Sequence, residues 1–168
     1  MRIGFLGAGR VVSYQLERFK QYDNFEVVGF YDTDLVRCEE LVAQGYINFT
    51  TIKELANSDV DVIAISTPSN EHYSSLLEIL NTKTKCKVIT IEKPTFLKQE
   101  EFDLVEKLKH QSKVTLLPIF QNRYNKAVNL AKSLIESGKL GEILNGRIIL
   151  SWCRPQRYYD QASWRGKW

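Results

Sequence analysis

The sequence predicts an α/β protein built on a doubly wound parallel sheet. Short β-branched or apolar runs alternate with longer segments of helical period, which is the pattern expected of stacked βαβ units. Hydrophobic residues make up 43% and charged residues 26% of the 168 residues, close to the globular average. This composition excludes a disordered chain, a collagen and a coiled coil, and the length suits one domain followed by the beginning of another.

Five runs are predicted as strands, and a sixth as a weak strand. In chain order the five are Ile3–Leu6, Phe25–Tyr31, Val60–Ser66, Lys87–Ile91 and Val114–Leu117, and the weak strand is Ile47–Phe49. Right-handed crossovers between consecutive parallel strands would give a sheet with helices on both faces.

Segments with apolar residues at helical spacing separate these strands. They are Val11–Lys20, Asp34–Gln44, Glu71–Asn81 and Lys98–His110. Ile52–Ala56 follows Thr51, a residue type that caps helices, so we expect a short capped helix there. His110 ends a surface-type helix, where we expect it to cap the last turn or to be solvated.

The pattern changes after Pro118. Arg123–Ser137 is predicted as one longer amphipathic helix, ended by Gly138 and Gly141, and Glu142–Cys153 as a strand much longer than those before it. We therefore expect a complete domain over residues 1–120 and, over residues 121–168, the first helix and strand of a truncated α+β domain.

The charge pattern argues against a polymeric anion as partner. Lys and Arg number 23 against 20 Asp and Glu, and the excess of three lies within residues 154–168. A short cationic stretch fits one phosphate-bearing ligand better than a nucleic acid, which usually meets a broad basic face. Arginines interleaved with aromatic residues in the tail leave open a groove that stacks nucleic-acid bases, an alternative we rank far lower.

Cellular context is predicted from features that the sequence lacks. No apolar run approaches the length needed to cross a bilayer, and Arg2 leads directly into a strand-like run, so we expect a cytoplasmic protein with no membrane partner. Cys38, Cys86 and Cys153 are far apart and form no CxxC pair. We therefore expect buried or idle thiols, and neither a disulfide framework nor a metal site.

A glycine motif follows the first predicted strand. Gly7 permits a tight turn, and Gly9 lets a phosphate approach the backbone where a helix begins. Val12 stands where the GxGxxG fingerprint has a third glycine, so a Gly-rich turn of another α/β domain remains an alternative. Asp32 ends the second strand, where a carboxylate binds the adenosine ribose hydroxyls and repels a 2′-phosphate. A Rossmann-type domain that prefers NAD over NADP is indicated, although Arg37 leaves NADP open.

Two further segments end later strands, at the edge where parallel sheets bind ligands. Ser66 to His72 is predicted either as a binding loop or, alternatively, as a turn at Pro68 followed by a helix that Asn70 caps. Glu92-Lys93-Pro94 ends the next strand. Lys93 could be a solvated charge, but the proline fixes the turn and favours a held site.

The order of these motifs resembles the Gfo/Idh/MocA family of NAD(P)-dependent oxidoreductases. Gly-Ala-Gly with Asp32 comes first, followed by the TPSNEH run at Thr67–His72, EKP at Glu92–Pro94, and Gln121-Asn122-Arg123. The tail from Arg154 to Gly166 is similar to the branch that oxidises C3 of UDP-linked N-acetylglucosamine or its uronic acid in bacterial O-antigen, or lipopolysaccharide, sugar synthesis. The resemblance therefore implies a nucleotide-sugar substrate.

The resemblance also implies a role for each matching residue. Lys93 would be the catalytic lysine that hydrogen-bonds the reacting hydroxyl, and we expect partial burial and a nearby Arg123 or nicotinamide cation to disfavour its charged form. Glu92 would reach the nicotinamide ribose. The other expected cofactor contacts are Gly7, Gly9 and Arg10 at the pyrophosphate, Asp32 at the ribose, Thr67, Pro68, Asn70 and His72 along the centre, Gln121 and Arg123 near the nicotinamide, and Trp164 and Arg165 closing over the dinucleotide.

The chain departs from the family pattern at Val12 and in its extent. The family's DGG-type segment and following histidine would begin beyond Trp168, so we expect little turnover from this chain alone. The alternative to a dehydrogenase is a non-catalytic NAD-binding module or an inactive remnant. Because the family's second domain supports oligomerisation, the resemblance implies a homo-oligomer.

Overall fold

The computed structural model describes residues 1–82, 84–109, 112–161 and 166. The chain divides into two units, Met1–Ile119 and Phe120–Trp168. The first unit is an α/β domain, a parallel sheet with helices on both faces, which confirms the predicted fold class.

The described part of the first unit contains a six-stranded parallel sheet. Its strands are β1 (Arg2–Leu6), β2 (Glu26–Tyr31), β3 (Ile47–Asn48), β4 (Val62–Ile65), β5 (Val88–Ile91) and β6 (Thr115–Pro118), in the spatial order β3-β2-β1-β4-β5-β6. The order reverses between β1 and β4, so crossovers leave the sheet in opposite directions there and open a crevice at the C-terminal ends of the strands.

Helices cover the two faces of this sheet because side chains alternate along each strand. Ile63 and Ile65 of β4 belong to one core cluster, which also takes residues from α3 (Ile52–Asn57), α4 (His72–Leu80) and α5 (Gln99–Lys109). Val62 and Ala64 face the other cluster, with α1 (Arg10–Phe19) and Leu41 of α2 (Leu35–Val42). Val12 is 1% exposed in this second cluster, so the place of the third fingerprint glycine is filled by a packed side chain.

The ends of the helices test two expected caps. Thr51 caps α3 as predicted, because its hydroxyl accepts a hydrogen bond from the Glu54 amide at 3.0 Å. The alternative in which Asn70 caps a helix is wrong. Asn70 lies inside a 3₁₀ turn, Ser69–Glu71, and α4 starts after it without a side-chain cap.

No helix in the described part of the chain is long and apolar enough to span a membrane. The helix α5 ends at Lys109. The predicted capping role of His110 lies outside the described residues.

The second unit begins with helical segments that differ from the prediction. A 3₁₀ turn, Gln121–Tyr124, is followed by α6 (Lys126–Glu136), and a short α7 (Gln156–Asp160), which was not predicted, lies in the tail. The single helix expected from Arg123 is interrupted at Asn125, whose backbone is extended (φ −65°, ψ 133°). Its side-chain oxygen accepts from the Ala127 amide at 2.9 Å, so a local cap competes with a continuous helix.

The long strand predicted over Glu142–Cys153 is wrong. None of these residues forms a β-ladder. A strand is defined by hydrogen bonds to a neighbouring strand, and the described residues of this unit contain none to pair with. Its apolar side chains are accordingly exposed, with Leu144 88% and Ile148 95% accessible.

Candidate cofactor-binding site

The turn after β1 requires a glycine at its first position. Gly7 has a φ of +101°, a conformation that side chains disfavour, and an added Cβ would lie 2.8 Å from the Ser66 carbonyl oxygen. Its amide donates to the Tyr31 carbonyl oxygen at 2.7 Å. The turn is therefore fixed against the ends of both β2 and β4.

Gly9 caps α1 without a side-chain hydrogen bond, and its surroundings are open. The nearest atom to an added Cβ would be Arg37 Nη1 at 3.9 Å. The space beside the first turn of α1 is therefore left for a ligand. The positive end of the helix dipole and the backbone amides favour an anion there.

Asp32, just beyond β2, is half-buried and oriented by two backbone amides. The amide of Ala8 donates to Oδ2 at 2.6 Å, and the amide of Asp34 donates to Oδ1 at 2.8 Å. These bonds hold the carboxylate beside the glycine turn. A carboxylate has about four lone-pair sites, so acceptor capacity remains.

Arg37 is held at the start of α2, near the same edge. Its Nε lies 3.1 Å from Asp34 Oδ2. The guanidinium is thus paired with a carboxylate, and its Nη1 also faces Gly9. This pairing matters for the choice between NAD and NADP, because Arg37 is the residue that left NADP binding open.

The loop after β4 brings further polar atoms to the edge. The Ser66 amide donates to the Leu6 carbonyl oxygen at 2.8 Å, which places the loop beside the glycine turn. The hydroxyls of Ser66 and Thr67 are buried and have no hydrogen-bond partner among the described residues. Pro68 is half-buried and Asn70 exposed.

His72, at the start of α4, is 1% exposed. Its Nδ1 lies 2.8 Å from the Pro94 carbonyl oxygen and its Nε2 lies 3.0 Å from the Thr67 carbonyl oxygen. Both nitrogens therefore contact backbone, and a contribution of this residue to a cofactor site would act through the two loops it joins.

The loop after β5 is fixed by Glu92. Its amide donates to the Ile65 carbonyl oxygen at 3.1 Å, and its carboxylate accepts from Gln15 Nε2 at 3.0 Å. Sequence reasoning missed Gln15. The available signal was a polar residue on the apolar stripe of α1, between Val12 and Leu16, where an amide needs a polar partner.

Lys93 follows Glu92, and its peptide bond to Pro94 is cis. The side chain is exposed, so the expected partial burial is wrong. The lysine lies two residues past the last buried residue of β5, beyond the cover that the sheet provides.

The described atoms fit a polar ligand along this edge. Buried side-chain oxygens of Gln15, Ser66, Thr67 and Thr95 have no hydrogen-bond partner within the part of the chain that the structure describes. Buried polar atoms are normally hydrogen-bonded, so four orphans around one sheet edge indicate a missing polar partner. A dinucleotide offers ribose, phosphate and amide groups for these atoms.

Four of the predicted residues cannot be placed in this site. Gln121 and Arg123 belong to the second unit, where both are exposed and the Arg123 guanidinium lies 5.2 Å from the Phe120 ring centroid. Trp164 and Arg165 lie outside the described residues. Arg10 belongs to the first unit, at the start of α1, and contacts the Tyr14 hydroxyl at 3.3 Å.

Other chemistries find little support in the described part of the chain. Burial raises the pKa of the Cys38 and Cys86 thiols, which disfavours the nucleophilic thiolate. Among the described residues, no group of three or more His, Cys, Asp or Glu is arranged to hold a metal ion.

The strand order, the glycine turn and the carboxylate at the end of β2 together define a dinucleotide-binding Rossmann domain. A family model described as an oxidoreductase family with an NAD-binding Rossmann fold matches residues 1–120. The chain therefore belongs to the Gfo/Idh/MocA family, and its fold is NAD-binding. This confirms the resemblance and the expected cofactor.

Three similar proteins indicate the kind of chemistry found in the family. The WlbA dehydrogenase from Bordetella pertussis, solved with NADH and UDP-GlcNAcA, is 30% identical with a TM-score of 0.84, over 98% of this chain and 50% of that chain. The WlbA enzyme from Chromobacterium violaceum, solved with the same two molecules, is 26% identical with a TM-score of 0.85, over 99% of this chain and 48% of that chain.

The third is the glucose-6-phosphate 3-dehydrogenase of Bacillus subtilis. It is 29% identical over 148 residues, which cover 88% of this chain and 41% of the relative. The chain thus spans half or less of the length of these proteins.

Proposed function

We propose that this chain is the NAD-binding part of a dehydrogenase that oxidises C3 of a UDP-linked N-acetylhexosamine or its uronic acid. The observation that carries the proposal is the similarity to two dehydrogenases solved with NADH and UDP-GlcNAcA, which extends over at least 98% of this chain. We extend it to lipopolysaccharide sugar biosynthesis in the cytoplasm, to a homo-oligomer, and to a division into an NAD-binding domain (1–120) and the start of a substrate domain (121–168).

Each polar residue of the edge has a role in this proposal. Asp32 binds the adenosine ribose hydroxyls, and the turn at Gly7 and Gly9 leaves space for the pyrophosphate beside α1. Thr67 contacts the central part of the dinucleotide, and Glu92 contacts the nicotinamide ribose. Arg10, Pro68, Asn70, Gln121, Arg123, Trp164 and Arg165 remain proposed contacts on the resemblance alone.

The chemical step needs a hydride acceptor and a base. NAD, held at the turn of Gly7 and Gly9 and by Asp32, would supply the acceptor for the hydride that leaves the sugar carbon. Lys93 Nζ hydrogen-bonds the reacting hydroxyl, whose proton passes to a base as the C–O bond becomes a carbonyl. The loop that carries Lys93 is fixed by Glu92 through Gln15 and Ile65, so the amine is offered from a defined backbone position.

A fluorescence titration of NADH bound to the chain tests the proposal. We expect UDP-GlcNAcA to change the emission or affinity of bound NADH, and glucose 6-phosphate at the same concentration to leave both unchanged. A response to glucose 6-phosphate alone would instead indicate the substrate of the B. subtilis relative. NADH binding without a response to either sugar would support NAD binding by the chain and count against its binding of either sugar.

A further inference from the structure

His72 joins the two loops that carry the cofactor and catalytic residues of the proposed function. Its Nε2 contacts the carbonyl oxygen of Thr67, in the loop after β4, and its Nδ1 contacts that of Pro94, in the loop after β5. The distances of 3.0 and 2.8 Å are within hydrogen-bonding range, and each carbonyl oxygen accepts from whichever ring nitrogen carries a hydrogen. One side chain therefore spans two segments that are 27 residues apart, since Thr67 precedes Pro94 by that interval.

The contact to Pro94 lies directly beside Lys93. On the other side of the lysine, the Glu92 amide bonds to Ile65 and the Glu92 carboxylate bonds to Gln15. The backbone is thus held on both sides of a lysine whose own side chain is exposed. A lysine presented in this way keeps an accessible side chain on a fixed backbone, which is what accurate positioning at a reacting group requires.

Burial makes the histidine contacts consequential. The ring is 1% exposed, so a carbonyl oxygen that loses its ring nitrogen cannot turn to water at that place without moving the loop. A neutral imidazole carries one N–H and an imidazolium two, so at least one of the loops receives a hydrogen bond in either state.

We propose that His72 is a positioning residue that couples the cofactor loop at Thr67 to the lysine loop at Pro94. The inference rests on the proposed function, because the roles of Thr67 and Lys93 belong to it. A histidine that only filled the core would instead affect overall stability and leave the two loops without distinct responses.

Two conservative variants separate the two contacts. In His72→Asn the side-chain amide nitrogen takes the place of Nδ1 and keeps a donor towards Pro94. In His72→Gln it takes the place of Nε2 and keeps a donor towards Thr67. Each variant retains one polar contact and loses the other, so they serve as controls for each other.

Hydrogen exchange of the ligand-free chain, followed by mass spectrometry, measures the link directly. We expect the Lys93–Phe96 amides to exchange about 5- to 10-fold faster in His72→Gln and near the wild-type rate in His72→Asn, because loss of one buried hydrogen bond is worth about 1 kcal/mol. Equal exchange of this segment in the two variants would overturn the proposal, whatever their melting temperatures.

Calorimetric titration with NAD supplies the second readout. We expect His72→Asn to bind NAD about 5- to 10-fold more weakly and His72→Gln to stay within about 2-fold of the wild type. The reverse order of affinities would also overturn the proposal. Failure of the wild-type chain to bind NAD would count against the proposed function, whereas the exchange experiment on the ligand-free chain still decides the role of His72.

Discussion

The Ala8 amide donates a hydrogen bond of 2.6 Å to the Asp32 carboxylate and thereby ties the glycine turn to the end of β2. The residue between the two fingerprint glycines thus orients the carboxylate proposed to select the cofactor. The second oxygen of the Asp32 carboxylate accepts from the Asp34 amide, so the side chain is fixed before any ligand arrives. A preoriented acceptor loses less entropy on binding than a free one.

Replacement of Asp32 should weaken NAD binding and reduce the preference for NAD over NADP. For Asp32→Ala we expect a loss of about 10- to 100-fold in NAD affinity, because hydrogen bonds to a charged group are worth about 1.5 to 3 kcal/mol. NADP should lose less, since the repulsion of its 2′-phosphate disappears as well. Calorimetry with both cofactors measures this, and Asp32→Asn, which keeps an acceptor for Ala8, isolates the charge. Wild-type binding of NADP as tight as that of NAD would contradict the assignment.

The pairing of Asp34 with Arg37 makes a separate prediction about NADP. Asp34→Asn keeps an N-cap for α2 but removes the charge that faces Arg37 Nε at 3.1 Å. The released guanidinium should raise NADP affinity by up to about fivefold, the scale of an exposed ion pair. Adding Arg37→Ala should cancel the gain. An unchanged NADP affinity in the single variant would show that Arg37 does not reach the 2′-phosphate.

We expect Gln15 to strengthen NAD binding and to lower the stability of the ligand-free protein. Its Nε2 orients Glu92, but its buried Oε1 has no hydrogen-bond partner in the described residues. Gln15→Leu removes the orphaned oxygen and extends an apolar stripe, so the melting temperature should change little or rise. NAD affinity should fall about fivefold, because Glu92 loses its donor. A drop in stability without a drop in affinity would mean that the amide is purely structural.

The low-pH behaviour of the first unit should depend on Asp61. A hydrogen bond from the Arg2 amide, followed by one from Lys87, lowers the pKa of this carboxyl. Its unfolded pKa is about 3.9, so its contribution to stability is complete above that value and is lost as pH falls through the lower folded pKa. Melting curves between about pH 2 and pH 7 should show Asp61→Asn less stable than wild type near neutrality and equal to it at the acid end. A difference that does not depend on pH would exclude the carboxyl as its source.

Periodicity predicted the first unit well because the strands at the centre of its sheet are buried. Val62–Ile65 is buried at every position, so no polar face interrupts its apolar run, and a turn signal follows it at the ligand edge. The positions of the motifs on strand ends followed from the same topology. The contacts that orient them did not, because the Gln15–Glu92 and His72–Pro94 pairs join residues that are far apart in sequence.

The second unit was predicted less well for a related reason. Glu142–Cys153 has the composition of a strand, but strand formation depends on a partner that no local pattern reports. The break at Asn125 was missed because its side chain bonds the Ala127 amide and competes with helix continuation, while the apolar spacing on either side remains helical.

The exposed apolar side chains of residues 143–152 make a final prediction about self-association. Ile148 is 95%, Ile149 79% and Leu150 71% exposed, without a β-ladder to occupy the backbone. Contiguous apolar exposure of this kind promotes association or aggregation. We expect light scattering to show dimers or larger species for the 168-residue chain and monomers for a chain that ends at Ser137.

Two matched chains complete this experiment. Ile148→Lys with Leu150→Lys in the 168-residue chain should restore the monomer, because like charges oppose strand pairing and aggregation. A chain that ends at Ile119 contains the whole first unit, so it should melt cooperatively and bind NAD. A lower NAD affinity than that of the chain ending at Ser137 would measure any contribution from Gln121 and Arg123. A monomeric, cooperatively folded 168-residue chain would contradict the predicted association, and failure of the Ile119 chain to fold would show that the first unit depends on the second.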